Sequence, residues 1–217
     1  MSIIDWPLDK WLDNVALAAL SSKETLLATF DLARNVIDRG VPGDFIECGV
    51  FGGAQCAVMA RAIMESEEHS ARPTRVLTPG GWITVNGRRV HLFDSFEGLP
   101  APGPEDREFL AAGHQAGLSV CSLDGCKDHM REWGIPDDLL VWHPGWFGET
   151  LAQWPAGNPI ALLRLDADLY DSTRVCMERL YPWLSLGGWL IVDDFSLSGC
   201  RKAVDEFRAE GPGYFLR

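Results

Sequence analysis

The stretch that decides the fold is residues 41–53, VPGDFIECGVFGG. Residues 45–48 form a short apolar run that is typical of a buried strand, and the glycines that follow begin a tight turn. Residues 54–65 continue with apolar positions at helical spacing, among them Val58 and Ala62. The order strand, glycine turn, helix predicts the first unit of an α/β sheet.

Strands and helices continue to alternate beyond this unit. Runs typical of strands are residues 88–93, 139–143, 160–166 and 188–194, and runs with helical spacing are residues 22–38, 123–133, 172–180 and 198–210. The alternation predicts a Rossmann-like α/β fold with a mostly parallel sheet and helices on both faces. We expect a single domain over residues 1–217, with a helical region at 1–40 and the sheet core at 41–217.

Two segments interrupt the alternation. Asn86-Gly87 lies between residues 82–85 and 88–93, and this dipeptide is a strong signal for a hairpin of those two strands. The segment 97–117 is rich in glycine, proline and acidic residues, which predicts a long loop with one helical turn. We expect this loop to be mobile without substrate and to close over the site.

The composition argues against several classes of protein. The 217 residues carry a formal net charge of −12, so a nucleic-acid partner is not expected. No apolar run approaches the length of a membrane span, and the N-terminal residues carry charges where a signal peptide is apolar. The six cysteines lack zinc-site spacing and the density of a disulfide scaffold, so we expect free thiols in a cytoplasmic protein.

The glycine turn is the first candidate for ligand binding. Glycines after a strand let the backbone approach a ligand, and the N–H groups that open the next helix can bind an anion or an amino-acid carboxylate. The turn lacks the G-x-G-x-x-G spacing of dinucleotide sites, and an ordinary turn is the alternative. The residues concerned are Glu47, Gly49, Val50, Phe51, Gly52 and Gly53.

A second candidate follows the run at 88–93. Asp94 ends this strand, and an acid there can accept hydrogen bonds from both hydroxyls of a ribose. Ser95 and Phe96 continue the segment, and Trp146 and Phe147 follow the next strand, where an aromatic pair can form a wall for adenine. A capping role for Asp94 and core packing of the aromatic pair are the alternatives.

Carboxylates follow two further predicted strands. Asp166 and Asp168 come at the end of one, and Asp193 and Asp194 at the end of another. Ligands of open α/β sheets bind outside the carboxyl ends of the strands, and carboxylates that converge there repel one another unless a cation compensates. Oxygen ligands suit Mg²⁺, Mn²⁺ or Ca²⁺ better than zinc. The alternative is that these acids cap the following helices.

Six motifs, in this order, resemble the macrocin O-methyltransferase family, whose members methylate sugar hydroxyls of macrolide and related antibiotics. They are GDFIECGVFGG at 43–53, HLFDSFEGLP at 91–100, HPGWFGETL at 143–151, LLRLDADLYDST at 162–173, GGWLIVDDF at 187–195 and GCRKAVDEFR at 199–208. The resemblance covers residues 22–208, nearly the whole chain. It implies a class I methyltransferase that moves a methyl group from S-adenosylmethionine to a small-molecule hydroxyl, on a sugar or another natural-product diol.

The resemblance also assigns roles to particular residues. It implies S-adenosylmethionine bound at the glycine turn, with Asp94 on its ribose and Trp146 and Phe147 near its adenine. It implies Mg²⁺, or Mn²⁺, held by Asp166, Asp193 and Asp194, as in the more distant catechol O-methyltransferases. Those enzymes use a lysine base three residues after the first metal aspartate. Here that residue is Leu169, so Asp166 or Asp168 is the candidate catalytic base.

Two features depart from the family pattern. The hairpin insertion is not typical of it, and only GYFLR at 213–217 remains where such folds usually add two more strands. We therefore expect a shortened C-terminus and an exposed sheet edge that favours a homo-oligomer. The alternative functions are a degenerate methyltransferase fold that serves as a binding subunit and a nicotinamide-dependent oxidoreductase, the second disfavoured by the missing G-x-G-x-x-G.

Overall fold

A computed structural model describes residues 3–66, 74–78, 81–85 and 87–211 of the chain. Its helices are α1 (Leu8–Val15), α2 (Lys23–Asp38), α3 (Ala54–Met64), α4 (Arg107–Ala111), α5 (Leu123–Glu132), α6 (Phe147–Thr150), α7 (Tyr170–Leu180) and α8 (Ser198–Glu210). Its strands are β1 (Asp44–Cys48), β2 (Thr74–Thr78), β3 (Gly81–Val85), β4 (Val90–Asp94), β5 (Leu140–Pro144), β6 (Ile160–Leu165) and β7 (Leu184–Val192).

Five parallel strands form the central sheet, in the order β5–β4–β1–β6–β7. The chain first builds outward from β1 to β5 and then returns to build from β6 to β7, so the direction of construction reverses between β1 and β6. Such a reversal opens a crevice at the carboxyl ends of the two strands, where ligands of open α/β sheets bind. The sheet confirms the predicted Rossmann-like α/β class.

Helices cover both faces of this sheet. Phe45 of β1 packs in one apolar cluster with residues of α2 and α3, whereas its neighbour Ile46 packs in a second cluster with residues of α7. This alternation is what a strand buried on both faces requires, because successive side chains point to opposite sides. The two clusters fix the strand ends, and therefore the residues that follow them, in a rigid frame.

The N-terminal helical region packs onto the same frame. Trp11 of α1 is fully buried, its Nε1 donates to the Trp133 carbonyl oxygen at 3.0 Å, and the Arg61 guanidinium lies over its ring at 4.8 Å from the centroid. A 3₁₀ turn, Ala16–Ala18, follows α1. The chain thereby returns across the carboxyl end of the sheet before α2 begins, and residues 19–21 reach the site described below.

The predicted hairpin is wrong in its pairing. β3 pairs antiparallel with β2, with Trp82 opposite Leu77, whereas β4 joins the central sheet between β1 and β5. Val90, Leu92 and Phe93 are fully buried there. Burial of β4 on both faces outweighs the local turn signal of Asn86-Gly87, of which Asn86 lies outside the described residues.

The segment 97–117 contains α4, in agreement with the predicted helical turn. Leu99 N donates to the Leu118 carbonyl oxygen at 2.8 Å, and Gly117 N donates to the Leu99 carbonyl oxygen at 2.9 Å. The Glu108 carboxylate accepts hydrogen bonds from the backbone N–H and the hydroxyl of Ser198 at the start of α8. The mobility of the loop stays a prediction.

Three further expectations meet the structure only in part. None of the described helices is long and apolar enough to cross a membrane. The residual strand GYFLR lies outside the described residues. Strand β7 forms one edge of the described sheet, and Leu186 on it is 99% exposed. The homo-oligomer stays a prediction.

Candidate functional site

A cavity of about 420 Å³ opens in the crevice at the carboxyl ends of β1 and β6. Its walls are the glycine turn after β1, the acids after β6 and β7, the start of α6 and residues 19–21. Nine of the predicted cofactor-binding residues line it: Glu47, Gly49, Val50, Phe51, Gly52, Asp94, Ser95, Trp146 and Phe147. The other two, Gly53 and Phe96, are not among the lining residues.

Gly49 allows the glycine turn to lie directly against the acidic turn that follows β6. Its φ is +89°, and a Cβ built there would overlap the carbonyl oxygen of Asp166. The Asp166 N–H in turn donates to the Cys48 carbonyl oxygen at 2.9 Å. Only glycine fits this left-handed, crowded position. The close approach brings the predicted donor-binding and metal-binding segments into one cavity.

The Asp94 carboxylate holds the glycine turn in place. Its Oδ2 accepts hydrogen bonds from Val50 N at 2.7 Å and Phe51 N at 3.2 Å, and its Oδ1 accepts one from Phe96 N at 2.7 Å. A carboxylate offers about four acceptor positions, so these three bonds leave room for one more. Asp94 therefore has the structural role that the sequence offered as an alternative, and its contact with a ribose stays a prediction.

Three residues that line the cavity have the left-handed backbone conformation that non-glycine residues rarely adopt. They are Phe51 with φ of 47°, Ser119 with φ of 58° and Asp168 with φ of 55°. Each such residue costs about 1–3 kcal/mol and persists only where the surroundings impose it. Strain of this kind, concentrated around one cavity, marks it as the functional site.

Arg164 lies buried beneath the site. In the register of β1 and β6 it lies beside Glu47, and both side chains are almost fully buried. Its Nη1 donates to Glu47 Oε1 and to Asp166 Oδ2, each at 2.7 Å, and its Nη2 lies 2.7 Å from Asp193 Oδ1. One fixed cation thus serves three carboxylates.

The buried surroundings shift the pKa values of Glu47 and Arg164. Burial raises the pKa of Glu47 to about 7, although Arg164 and the Cys56 thiol, which donates to Glu47 Oε2 at 2.7 Å, act to lower it. Burial alone would lower the pKa of Arg164, but the three carboxylates outweigh it and raise that pKa. Arg164 is therefore a permanent charge, and Glu47 lies with it beneath the predicted donor site.

Asp166, Asp168 and Asp194 form the acidic end of the cavity. One ligand oxygen from each lies within 4.8 Å of the others, and Asp168 N donates to Asp194 Oδ2 at 3.1 Å. Burial, followed by the charges of neighbouring aspartates, raises the pKa of Asp168 to about 6 and that of Asp194 to about 8. None of the described residues that line the cavity is a lysine, arginine or histidine.

The carboxylates that the structure brings together differ from the predicted metal ligands in one residue. Asp166 and Asp194 lie together as expected, but Asp168 completes the cluster, while the carboxylate of Asp193 lies against Arg164. All four line the cavity. Clustered carboxylate oxygens are the donor chemistry of Mg²⁺, Mn²⁺ and Ca²⁺, so the residues present fit a hard divalent cation.

Two residues near the site were not predicted. Arg164 lies inside the apolar run IALLRLD, and a charged residue in a buried strand is a usable signal, because such residues are almost never fully buried unless they are paired. Asp106, 2% exposed, lies in an acidic loop and carries no comparable signal.

Comparison with known proteins bears directly on the predicted family. Residues 19–212 match the family model of the macrocin O-methyltransferases (TylF). The chain is 37% identical over 177 residues to 8-demethyl-8-(2,3-dimethoxy-alpha-L-rhamnosyl)-tetracenomycin-C 4'-O-methyltransferase of Streptomyces olivaceus, and 35% identical over 181 residues to demethyldecarbamoylnovobiocin O-methyltransferase of Streptomyces niveus. These alignments cover 80% and 81% of this chain but 60% and 62% of the relatives, so the chain spans about three-fifths of their length.

Solved structures of methyltransferases also resemble this chain. The O-methyltransferase NovP superposes with a TM-score of 0.74 and 32% identity over 89% of this chain and 74% of its own. CalS11, a calicheamicin methyltransferase, superposes with a TM-score of 0.67 and 24% identity over 99% of this chain and 84% of its own. The second likeness supports the fold alone, and the first supports both the fold and the resemblance seen in the sequence.

Proposed function

Because the chain belongs to the macrocin O-methyltransferase family, we propose that it transfers a methyl group from S-adenosylmethionine to a hydroxyl of a sugar or another natural-product diol. The proposal includes a divalent cation, Mg²⁺ or Mn²⁺, at the acidic end of the cavity. The observation that carries it is the meeting of the glycine turn and three clustered carboxylates in one cavity. The named activities of the relatives, on a tetracenomycin glycoside and a novobiocin precursor, support this class of acceptor.

The donor is assigned to the glycine-turn side of the cavity. The N–H groups at the start of α3 face an anionic group such as the donor's carboxylate, a role that helix N-termini commonly have. Trp146 and Phe147 also line the cavity and supply apolar surface, against which an adenine can pack. Asp94 has one acceptor position left for a ribose hydroxyl, as derived above from its three backbone partners.

The acceptor is assigned to the acidic side. A bound divalent cation would orient a diol and lower the pKa of the coordinated hydroxyl. Asp166 and Asp194 belong to both the predicted ligand set and the observed cluster, and we take them as ligands. Asp193 and Asp168 are the two candidates for the third ligand. The Arg164 contact restrains Asp193, while no lysine or arginine of the described residues restrains Asp168 in this way.

The proton of the acceptor hydroxyl passes to a carboxylate while the oxygen attacks the methyl carbon. The new bond joins carbon to the acceptor oxygen, the sulfonium–methyl bond breaks, and S-adenosylhomocysteine leaves as a neutral thioether. Asp168 suits the base role better than Asp166, because Arg164 donates to Asp166 Oδ2, whereas no lysine or arginine of the described chain lies within ion-pair distance of Asp168. A general base must be ionised before it can accept the proton, and in the metal-free protein burial raises the pKa of Asp168 only to about 6.

Two further expectations belong to this proposal. All six cysteines are free, which fits the reducing conditions of a cytoplasmic location. The homo-oligomer expected from the sheet edge can be measured by analytical ultracentrifugation, where a monomer at all concentrations would remove it.

The direct test compares ligands by thermal shift and then measures methyl transfer. S-adenosylmethionine should raise the melting temperature of the protein, and NAD should not. Labelled S-adenosylmethionine should then methylate members of a panel of hydroxylated glycosides only when Mg²⁺ or Mn²⁺ is present. Stabilisation by NAD alone would favour an oxidoreductase. Donor binding without transfer to any diol, with or without metal, would favour a binding subunit.

A further inference from the structure

Asp106 is a buried carboxylate outside the proposed metal cluster. Its Oδ1 accepts a hydrogen bond from Tyr170 N and its Oδ2 accepts one from Gly103 N, both at 2.8 Å. No lysine or arginine of the described chain lies within ion-pair distance of it. A buried charge held only by backbone N–H groups is costly to maintain, so its two partners indicate what it contributes.

Tyr170, the first partner, begins α7 directly after the turn that carries Asp166 and Asp168. This turn begins at Asp166, whose N–H donates to the Cys48 carbonyl oxygen, and passes through the left-handed residue Asp168. Leu169, which precedes α7, provides no side-chain cap for the helix. Asp106 therefore supplies from a distant loop the acceptor that a helix start normally obtains from its own N-cap residue.

Gly103, the second partner, belongs to the segment that covers the cavity. Leu99 and Pro100 of the same segment line the cavity. Asp106 thus joins the covering segment to the turn that carries Asp168. A shift of the covering segment would therefore be transmitted to this turn through the two hydrogen bonds that the Asp106 carboxylate accepts.

Gly199, the second residue of α8, leaves the space that Asp106 occupies. A Cβ at Gly199 would overlap Asp106 Oδ1 and would lie 3.1 Å from Tyr170 N. Replacing glycine by alanine inside a helix normally stabilises it by about 1 kcal/mol. At this position the added methyl group instead displaces the carboxylate from the turn without changing any charge.

We propose that Asp106 is a positioning residue for methyl transfer: it fixes the turn that carries Asp168, and Gly199 keeps its carboxylate in place. The catalytic part of this inference rests on the proposed function. A displacement of about 1 Å in a reacting group reduces turnover on the order of 100-fold, which sets the size of the expected effect.

The test uses Asp106→Ala, Asp106→Asn, Gly199→Ala and the double variant Asp106→Ala/Gly199→Ala. Glu105→Gln is the matched control, because Glu105 is the adjacent acid and its carboxylate pairs with Lys202 at 2.9 Å. Amide hydrogen exchange at Tyr170 should become faster in both alanine variants and stay slow in the control. This measurement needs neither metal nor acceptor, so it tests the anchor even if the proposed activity is absent.

The second measurement is kcat at saturating donor and acceptor. It should fall about 100-fold in Asp106→Ala and in Gly199→Ala, with unchanged affinity for S-adenosylmethionine. The double variant should be no worse than either single variant, because both remove the same contact. Asp106→Asn keeps one acceptor for Tyr170 N and should recover part of the loss.

Several results would overturn the inference. A Tyr170 amide that stays protected in Asp106→Ala removes the anchor. Wild-type kcat per folded molecule in Gly199→Ala, or losses that add in the double variant, leave Asp106 with a stabilising role alone. A wild-type enzyme that transfers no methyl group to any acceptor refutes the proposed function instead, and the exchange result separates the two cases.

Discussion

Asp193 and Asp194 are adjacent in the sequence, yet they lie in opposite electrostatic environments. Asp193 Oδ1 lies 2.7 Å from the Arg164 guanidinium, so the protein itself supplies its counter-charge. Asp194 lies instead among Asp166 and Asp168, with one backbone N–H as its hydrogen-bond donor. Asp193 and Asp166 both contact Arg164, whereas no lysine or arginine of the described residues pairs with Asp168 or Asp194. The proposed cation site is therefore localised to a few side chains.

The largest expected effect comes from removing the Arg164 counter-charge. Arg164→Met keeps much of the side-chain volume but leaves Glu47, Asp166 and Asp193 without their cation. We expect the free energy of unfolding to fall by about 3–5 kcal/mol in urea denaturation, because a buried ion pair loses one partner. Arg131→Met is the control, since Arg131 and Asp128 are 58% and 65% exposed and such pairs contribute less than about 1 kcal/mol. Equal losses of unfolding free energy in the two variants would show that Arg164 is not an essential counter-charge for the three carboxylates.

The next largest effect is a dependence of the stability of the metal-free protein on pH. The pKa of Asp168 is raised to about 6 and that of Asp194 to about 8, from an ordinary value of 3.8, chiefly by burial. The folded state then binds these protons more tightly than the unfolded chain. Their stabilising contribution is full below the ordinary value and is lost as the pH rises through about 6 and about 8.

Melting temperatures measured in chelator should therefore fall across this range, and excess Mg²⁺ should reduce the fall. Asp194→Asn provides the control, because it removes the group with the higher pKa and should flatten the profile. A melting temperature that rises with pH over the same range in chelator would contradict the assignment.

The smallest expected effect is a difference in stability between the Asp194→Asn and Asp193→Asn variants. At a pH above about 8, where the Asp194 carboxyl is ionised, Asp194→Asn removes one of the crowded charges and keeps an oxygen that accepts from Asp168 N. We expect it to stabilise the metal-free protein by about 1 kcal/mol, which raises the melting temperature by roughly 2–4 °C. Asp193→Asn should change the stability less, because the attraction of Arg164 partly offsets the burial that raises the pKa of Asp193. Differential scanning calorimetry of both variants in chelator decides this, and equal changes would refute the contrast.

Most of the central sheet could be predicted from the sequence because its signals are local. The run 45–48, the glycine turn and the helix from Ala54 appear where the sequence indicates them. The Asn86-Gly87 signal predicted the wrong partner for β3. Which strands pair depends on burial across the whole sheet, and a local turn signal does not report that burial. Strand β7 starts at Leu184, before the predicted residue 188, since pairing with β6 extends it past the glycines.

The chemistry of the site could be predicted only as a set of residue types. Acids at strand ends indicated a cation site, but which acids meet depends on backbone conformation, such as the left-handed φ of Asp168. The pairing of Arg164 with Glu47 depends on the register of two strands that are more than a hundred residues apart in the chain. The contact of Asp106 with Tyr170 depends on how a long loop folds back, which no local pattern specifies.

Calorimetric titration of Mn²⁺ tests the central claim most directly, because it requires no knowledge of the acceptor. The account predicts that the wild-type protein binds Mn²⁺ at a single site and that Asp194→Asn loses this binding while it remains folded. Affinity for S-adenosylmethionine, measured in the same samples, should be unchanged. A wild-type protein that binds no Mn²⁺, or an Asp194→Asn variant that binds it as tightly as the wild type, would contradict the account.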